Sequence, residues 1–365
     1  MSTLATLVDA ALRDPAASAR SAKSSGQRVI GFVGMDVPVE LIAAAGAFPW
    51  RLPASPDTET ALADRYLEAS FQPQERALAG QWLAGAFDFI DAVVFTRAND
   101  SIQRLYYYLC ELQRRKLCAG PEPLLFDLCK IPRTSSARRT QAAAVSLSQS
   151  LGSRIDELPR CIRERNRRRQ LLQQTQQQRA GGAAPEGSFI ERLAHASDYC
   201  AAREFDAALA QWLAEPAHGL TGTRLILAGS APPDERLHRA VERAGGNIVA
   251  ELGDHAIGRL GGAIEGESDP LGALSLHYHA QRNGPRAFSD ATADLLEALC
   301  LTRADGVIFW LLEQEEALAW DLPAQRRCLE AEGVPSLQLV HRRWNAEDGA
   351  LEDIRDFIGS NWSAA

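Results

Sequence analysis

The chain has 365 residues, 46% of them hydrophobic and 24% charged, with a formal net charge of −8. It is long enough for two domains of ordinary size, and its acidity argues against a nucleic-acid partner, because a groove that follows phosphates needs a sustained basic surface. No run of about 18 uninterrupted apolar residues suggests a membrane span, and no basic n-region with an apolar core marks an export signal, so a cytoplasmic location is expected.

The first residues predict a short helix from Thr3 to Arg13, and the Ala- and Ser-rich stretch after Pro15 is expected to fray. Arg28 to Val33 reads as the first buried strand, ended by Gly34. A helix follows, stopped by Gly46 and Pro49, with Asp36 as its expected cap. Glu40 is either a first-turn acid complementing the helix dipole or a group facing a cleft. A short strand is expected around Trp50 to Leu52, then helices over Glu59 to Leu67 and Gln74 to Leu83. Trp82 is expected in the core.

The stretch Asp91 to Asp100, DAVVFTRAND, organises the first half. A short apolar run delivers Thr96, Arg97, Asn99 and Asp100 at its end, as a buried parallel strand does where open α/β sheets place their ligands. The helix after it carries Leu105, Tyr106, Leu109 and Leu112 on one face, with Asp100 or Ser101 as cap. Pro123 to Leu128 is the next strand. A long helical region from Ser135 to Gln178 ends in an Arg- and Gln-rich segment. Ile155, Leu158, Ile162, Leu171 and Leu172 make that segment a helix packed on one face rather than a polyanion-binding surface.

Gly181 to Gly187 is the clearest break, and Ser188 to Leu213 is helical again. Arg224 to Ala228 starts a second α/β unit. Gly229 and Ser230 end its strand before Pro232, Pro233 and Asp234, a turn able to offer backbone amides to an anion but lacking a dinucleotide or P-loop fingerprint. The segment Glu251 to Gly284, with Asp254, His255, Arg259, His277, Tyr278, His279 and Arg282, is irregular. If it is extended, His277 and His279 share a side and hint at a metal; otherwise it is a polar loop. Helices over Ser289 to Leu301, Leu322 to Glu332 and Asp348 to Trp362 alternate with strands over Asp305 to Phe309 and Pro335 to Val340. The strand DGVIF nearly copies DAVVF, and leads to Glu313, Gln314, Glu315 and Glu316. The seven cysteines, Cys110, Cys118, Cys129, Cys161, Cys200, Cys300 and Cys328, form no CxxC pair or close His-Cys cluster, and read as reduced, mostly buried thiols.

The halves echo each other: strands starting at Val29, Asp91 and Pro123 are 62 and 32 residues apart, and those starting at Arg224, Asp305 and Pro335 are 81 and 30 apart. The expected fold is α/β, with two Rossmann- or flavodoxin-like parallel-sheet domains and additional helical segments. The expected organisation is an N-terminal helical extension over 1–27, a first α/β domain over 28–180, a linker over 181–188 and a second α/β domain over 189–365. In that arrangement the TRAND and WLLEQEE loops approach one cleft from opposite sides.

Several blocks resemble subunits of the 2-hydroxyacyl-CoA dehydratase and benzoyl-CoA reductase family, and the 2-hydroxyglutaryl-CoA dehydratase D-component in particular. They are GFVGMDVPVELIAAAGAFPWRL, ADRYLEASFQP, DAVVFTRANDSIQRLYYYL, RLILAGSAPPDERLHRAVERAGGNIVAE, and ADGVIFWLLEQEE with EGVPSLQLV. The resemblance implies two-domain subunits that pair, [4Fe-4S] clusters held by cysteine thiolates, and a separate activator that supplies one electron to an acyl-CoA thioester. It also implies cysteines near Phe71 or Gln72, at Asn99, and near Glu313 or Gln314. This chain has none at those positions.

The leading expectation is therefore a cluster-free partner or accessory subunit of a dehydratase-like complex, with no cofactor of its own and a cysteine-containing paralogue or a second copy as partner. The alternatives are a complete subunit with atypical [4Fe-4S] ligation and a non-catalytic acyl-CoA or small-molecule binding protein. No catalytic residue is assigned. The substrate or cleft candidates are Glu40, Arg97, Asn99, Asp100, Gly229, Ser230, Glu313 and Glu315. Arg97 is expected either to anchor an acyl carboxylate or CoA phosphate, or to pair across the cleft with Glu313, Glu315 or Glu316.

Overall fold

The computed structural model describes residues 3–97, 99–181, 184–216, 219–253, 255–266, 268–282 and 288–362. Ala98 of the TRAND loop, Gly182 and Ala183 of the linker, and Asp254 and Gly284 of the irregular segment lie outside the described residues. Two four-stranded, all-parallel sheets form the scaffold. The first contains β1 (Val29–Val33), β2 (Phe48–Arg51), β3 (Ala92–Thr96) and β4 (Glu122–Phe126) in the order β2-β1-β3-β4. The second contains β5 (Thr223–Gly229), β6 (Gly246–Leu252), β7 (Gly306–Leu312) and β8 (Ser336–Arg342) in the order β6-β5-β7-β8. The repeated strand order is the architecture the sequence echo predicts.

Helices cover both faces of each sheet, so the central strands are apolar throughout and their side chains divide by strict alternation. Ile30, Phe32 and Val94 join one core, while Val29, Val33, Val93 and Phe95 join the other. In the second sheet Leu225, Leu227, Ile308 and Trp310 face one side, and Ile226, Ala228, Val307 and Phe309 the other. The echo extends to a polar device: Asp91 Oδ2 accepts from the Val29 amide at 2.9 Å, and Asp305 Oδ2 accepts from the Arg224 amide at 2.8 Å. Each aspartate precedes one central strand and closes the start of its neighbour, so the shared Asp of DAVVF and DGVIF serves the sheet.

Local departures from the sequence expectations have identifiable causes. The stretch after Pro15 forms the helix Ala17–Ser24 and buries Ala19 and Ala22, while Trp50 Nε1 donates to the Pro15 carbonyl at 2.8 Å. Of Glu59 to Leu67, only the turn Ala63–Arg65 is helical. The long helical region divides into Thr134–Leu151 and Leu158–Ala180, ended in between by Gly152 at φ 70°. Leu158, Ile162, Leu171 and Leu172 are buried as the one-face pattern predicts, whereas Ile155 lies in the connection and is exposed. Asp36 does not cap the helix Val39–Ala44; it forms a buried ion pair with Lys130 at 2.9 Å. Trp82 is in the core and donates to the Ala119 carbonyl at 3.1 Å.

The helix Leu158–Ala180 runs through the middle of the molecule and buries Arg168, Arg169 and Arg179 against Asp206, Glu40 and Glu251. The helix Pro270–Ala280 comes from the irregular segment after β6, yet Leu274 and Tyr278 join the core of the first sheet. Tyr278 donates to Glu40 Oε2 at 2.9 Å, so Glu40 ties three distant parts of the chain together. Burial pushes the Glu40 carboxyl up, but the Arg169 and Arg165 guanidiniums outweigh it and hold the group below the usual carboxylate range. Replacing Glu40 with Ala strands the Arg169 charge in the interior, and is expected to cost about 3–5 kcal/mol in urea unfolding. Arg160→Ala on the wet face of the same helix is expected to stay within about 0.5 kcal/mol of the parent. Equal effects of the two would show that the buried pair is not what holds this region.

Candidate functional site

In open parallel sheets, ligands bind outside the carboxyl ends of the strands where the strand order reverses. Here those points fall between β1 and β3 and between β5 and β7, and the two crevices open into a single cavity of about 530 Å³. Gly34 after β1 and Gly229 at the end of β5 occupy equivalent turns, with φ of 95° and 118°. A Cβ at Gly34 would come within 2.4 Å of Thr96 Cγ2, and one at Gly229 within 2.3 Å of the Trp310 carbonyl oxygen. Glycine is therefore required on both counts, φ and space, and both residues line the cavity.

Among the sequence candidates, Asn99, Gly229, Ser230 and Glu315 line the cavity. Asn99 has extended backbone and its Oδ1 accepts from the amides of Ser101 at 2.8 Å and Ile102 at 3.3 Å, so it caps the helix Asp100–Arg114. The expected caps, Asp100 and Ser101, are instead the first two helical residues, with Asp100 exposed and 3.9 Å from Arg104. Ser230 donates its amide to the Trp310 carbonyl at 2.8 Å, and its hydroxyl accepts from the Leu312 amide at 3.2 Å. Asp234 accepts from the Arg236 amide at 2.9 Å, at the start of the helix Arg236–Arg243. An acid of this chain thus occupies the position at which the turn was expected to receive an anion.

Four expectations place residues elsewhere. Arg97 pairs with Asp127 at 3.0 Å beyond β4, on its own sheet rather than across the cavity. Glu313 is exposed and does not line the cavity. Glu40 is a first-turn acid of the helix Val39–Ala44, one of its two expected roles, but it is buried in a triad with Arg169 and Tyr278 and does not line the cavity. His277 and His279 lie two residues apart on a helix, which separates them by about 200° around its axis. His277 Nε2 meets the Gln281 amide at 3.1 Å and His279 Nδ1 meets the Cys129 carbonyl, so they form no metal pair. Burial and the Arg169 charge bring the His277 pKa down to about 4.

Several cavity residues were passed over in the sequence. Arg51 at the end of β2 faces Asp198 at 3.4 Å, and Asp198 also pairs with the buried Arg259 at 2.9 Å. His195, Glu251 and His255 line the deeper wall. Glu191 and His195, one helical turn apart on Gly187–Ala196, were the sequence signal for that wall.

Of the positions where the resemblance implies cluster cysteines, Gln72 and Asn99 line the cavity, whereas Glu313 and Gln314 do not. Gln72 Nε2 donates to Glu315 Oε2 at 3.1 Å across the cavity, the Gln72 amide donates to Ser101 Oγ at 3.2 Å, and Asn99 caps beside it. No described residue lining the cavity is a cysteine. Burial pushes the Cys110, Cys118 and Cys161 thiols up, and that of Cys200 to about 12. An iron-sulfur cluster takes soft, deprotonated thiolates, so amides and a carboxylate already engaged with each other do not fit one.

The family described as 2-hydroxyglutaryl-CoA dehydratase, D-component matches residues 35–352. The chain belongs to the 2-hydroxyglutaryl-CoA dehydratase D-component family. Comparison with curated proteins gives no significant match. This member of the dehydratase family is a dehydratase-like subunit with two parallel-sheet units, and none of its described helices is long and apolar enough to cross a membrane.

Two measurements test this description of the site. Asn99→Ala removes the cap and is expected to lower stability by about 1 kcal/mol, while Asn99→Asp is nearly neutral, by denaturant titration. Burial raises the Asp198 carboxyl, but Arg259, Arg51 and Arg165 carry it from its usual 3.8 down to about 2. A depressed folded-state pKa contributes stability that is fully present above the unfolded value and is lost as the pH falls through the folded one. Stability is therefore expected to fall between about pH 4 and pH 2 and to lose part of that dependence in Asp198→Asn; an unchanged acid limb would contradict the pairing.

Proposed function

We propose that this chain is a cluster-free partner or accessory subunit of a 2-hydroxyacyl-CoA dehydratase-like complex, working beside a cysteine-containing paralogue. The observation that carries the reading is the set of residues at the implied ligand positions. Gln72 and Asn99 line the cavity and are spent on structure, Gln72 in a hydrogen bond across it to Glu315 and Asn99 in a helix cap, while Glu313 is exposed outside it. Amides and a hard carboxylate are poor substitutes for thiolates. The cavity itself persists at about 530 Å³, with Leu52, Leu78, Ile102 and Leu311 among its walls. That size and apolar lining suit a small acyl group, so the subunit retains a place for a ligand without the means to hold the redox centre.

Anaerobic purification from the native cells tests the reading. Iron and acid-labile sulfide are expected near zero per chain once the partner is removed, and gentle isolation is expected to recover a cysteine-containing paralogue with it. About four irons and four sulfides bound to this chain alone would overturn the proposal, as would a chain that is solitary or pairs only with itself.

A further inference from the structure

The deeper wall of the cavity opens onto a cluster that neither the family resemblance nor the proposed role uses. Glu191, His238 and Glu251 are buried, and one ligand-capable atom from each lies within 4.8 Å of the others. His195, which faces the cavity, brings its Nε2 to 3.2 Å from Glu191 Oε1, yet that oxygen accepts no aligned hydrogen bond. His238 Nε2 stands 3.1 Å from Glu251 Oε1. We propose that Glu191, His238 and Glu251 form a three-residue binding site for one divalent transition-metal ion with zinc-like preferences, reached from the cavity past His195.

Distances and charge carry the inference. Ligand bonds of about 2.0–2.1 Å in a tetrahedral site put neighbouring donor atoms about 3.3 Å apart, close to the 3.1 Å between His238 Nε2 and Glu251 Oε1. Glu191 Oε1 is buried and accepts no aligned hydrogen bond, which leaves a lone pair for an ion. The carboxylates of Glu191 and Glu251 face one permanent cation, Arg179, which grips Glu251 at 2.7 and 2.8 Å. With neutral imidazoles this buried group carries an excess negative charge, and an added cation satisfies it. Arg179 orients Glu251 as a supporting partner orients a metal ligand. Imidazole and carboxylate donors select zinc or cobalt over calcium, and His195 and Glu251 at the cavity wall give the ion a way in.

The test uses the full chain, without an affinity tag, stripped by a chelator and titrated with Zn²⁺ by calorimetry and with Co²⁺ by visible absorption. One equivalent of either is expected to bind, with the intense d–d bands of a low-coordinate Co²⁺ site and no near-ultraviolet thiolate charge-transfer band. Glu191→Gln and His238→Gln are each expected to weaken binding by about 100-fold or more, beyond what loss of a supporting partner costs. The two remove different donors, so either still reports if the other fails to fold. Absence of uptake, uptake unchanged by both variants, or a thiolate band would overturn the proposal. Since the donors are nitrogen and oxygen, the iron and sulfide assay of the proposed function stands or falls separately.

Discussion

A guanidinium in a protein interior is tolerated only where a carboxylate meets it, and the helix Leu158–Ala180 buries three. Their partners come from separate places: Glu40 from the helix after β1, Asp206 from the helix Ala202–Ala214, and Glu251 from the end of β6. Apolar packing is non-directional and would let these elements slide, whereas the planar donor fork of arginine fixes angle as well as distance. One helix thus sets the first sheet, the connecting helices and the second sheet relative to each other. The Arg-rich stretch, whose composition alone suggests a polyanion surface, is on its buried side the internal frame that keeps the two strand-end crevices open towards one another.

The sheets were legible in the sequence because their signal is local. An apolar run bounded by turns, repeated as DAVVF and DGVIF with similar spacing to the next strand, is enough to place β3 and β7 and to predict two equivalent units. The site was legible only in outline. Spacing shows which strand end delivers a residue, but not the side to which its side chain turns: Asn99 faces the cavity, whereas Arg97, two residues earlier, swings over β4 to Asp127. Glu40 gave no sign of burial, because its partners Arg169 and Tyr278 are 129 and 238 residues away. The cluster of Glu191, His238 and Glu251 likewise exists only after three elements have packed. Its single local trace, Glu191 and His195 four residues apart, is indistinguishable from an ordinary surface pair until burial is known.

The duplicated architecture offers an internal control on what each feature is for. Asp91 and Asp305 make the same bond to the neighbouring strand, and Gly34 and Gly229 make the same tight turn, so their occurrence in both halves marks them as requirements of the sheet. At the cavity the halves differ. The end of β2 presents Arg51, and the matching end of β6 presents Glu251. Each is neutralised from its own side, Arg51 by Asp198 and Glu251 by Arg179.

The same asymmetry bears on how a dehydratase-family scaffold without cysteines lining its cavity holds its shape. The contact between Gln72 and Glu315 joins the two strand-end regions directly. A hydrogen bond of this kind contributes about 1 kcal/mol, far less than metal coordination, so it cannot by itself hold the halves in place. The buried arginine pairs make that unnecessary. With the frame secured by the helix Leu158–Ala180, the residues at the strand ends are free to change chemistry without endangering the fold, which is why membership of the family fixes the architecture more firmly than the activity.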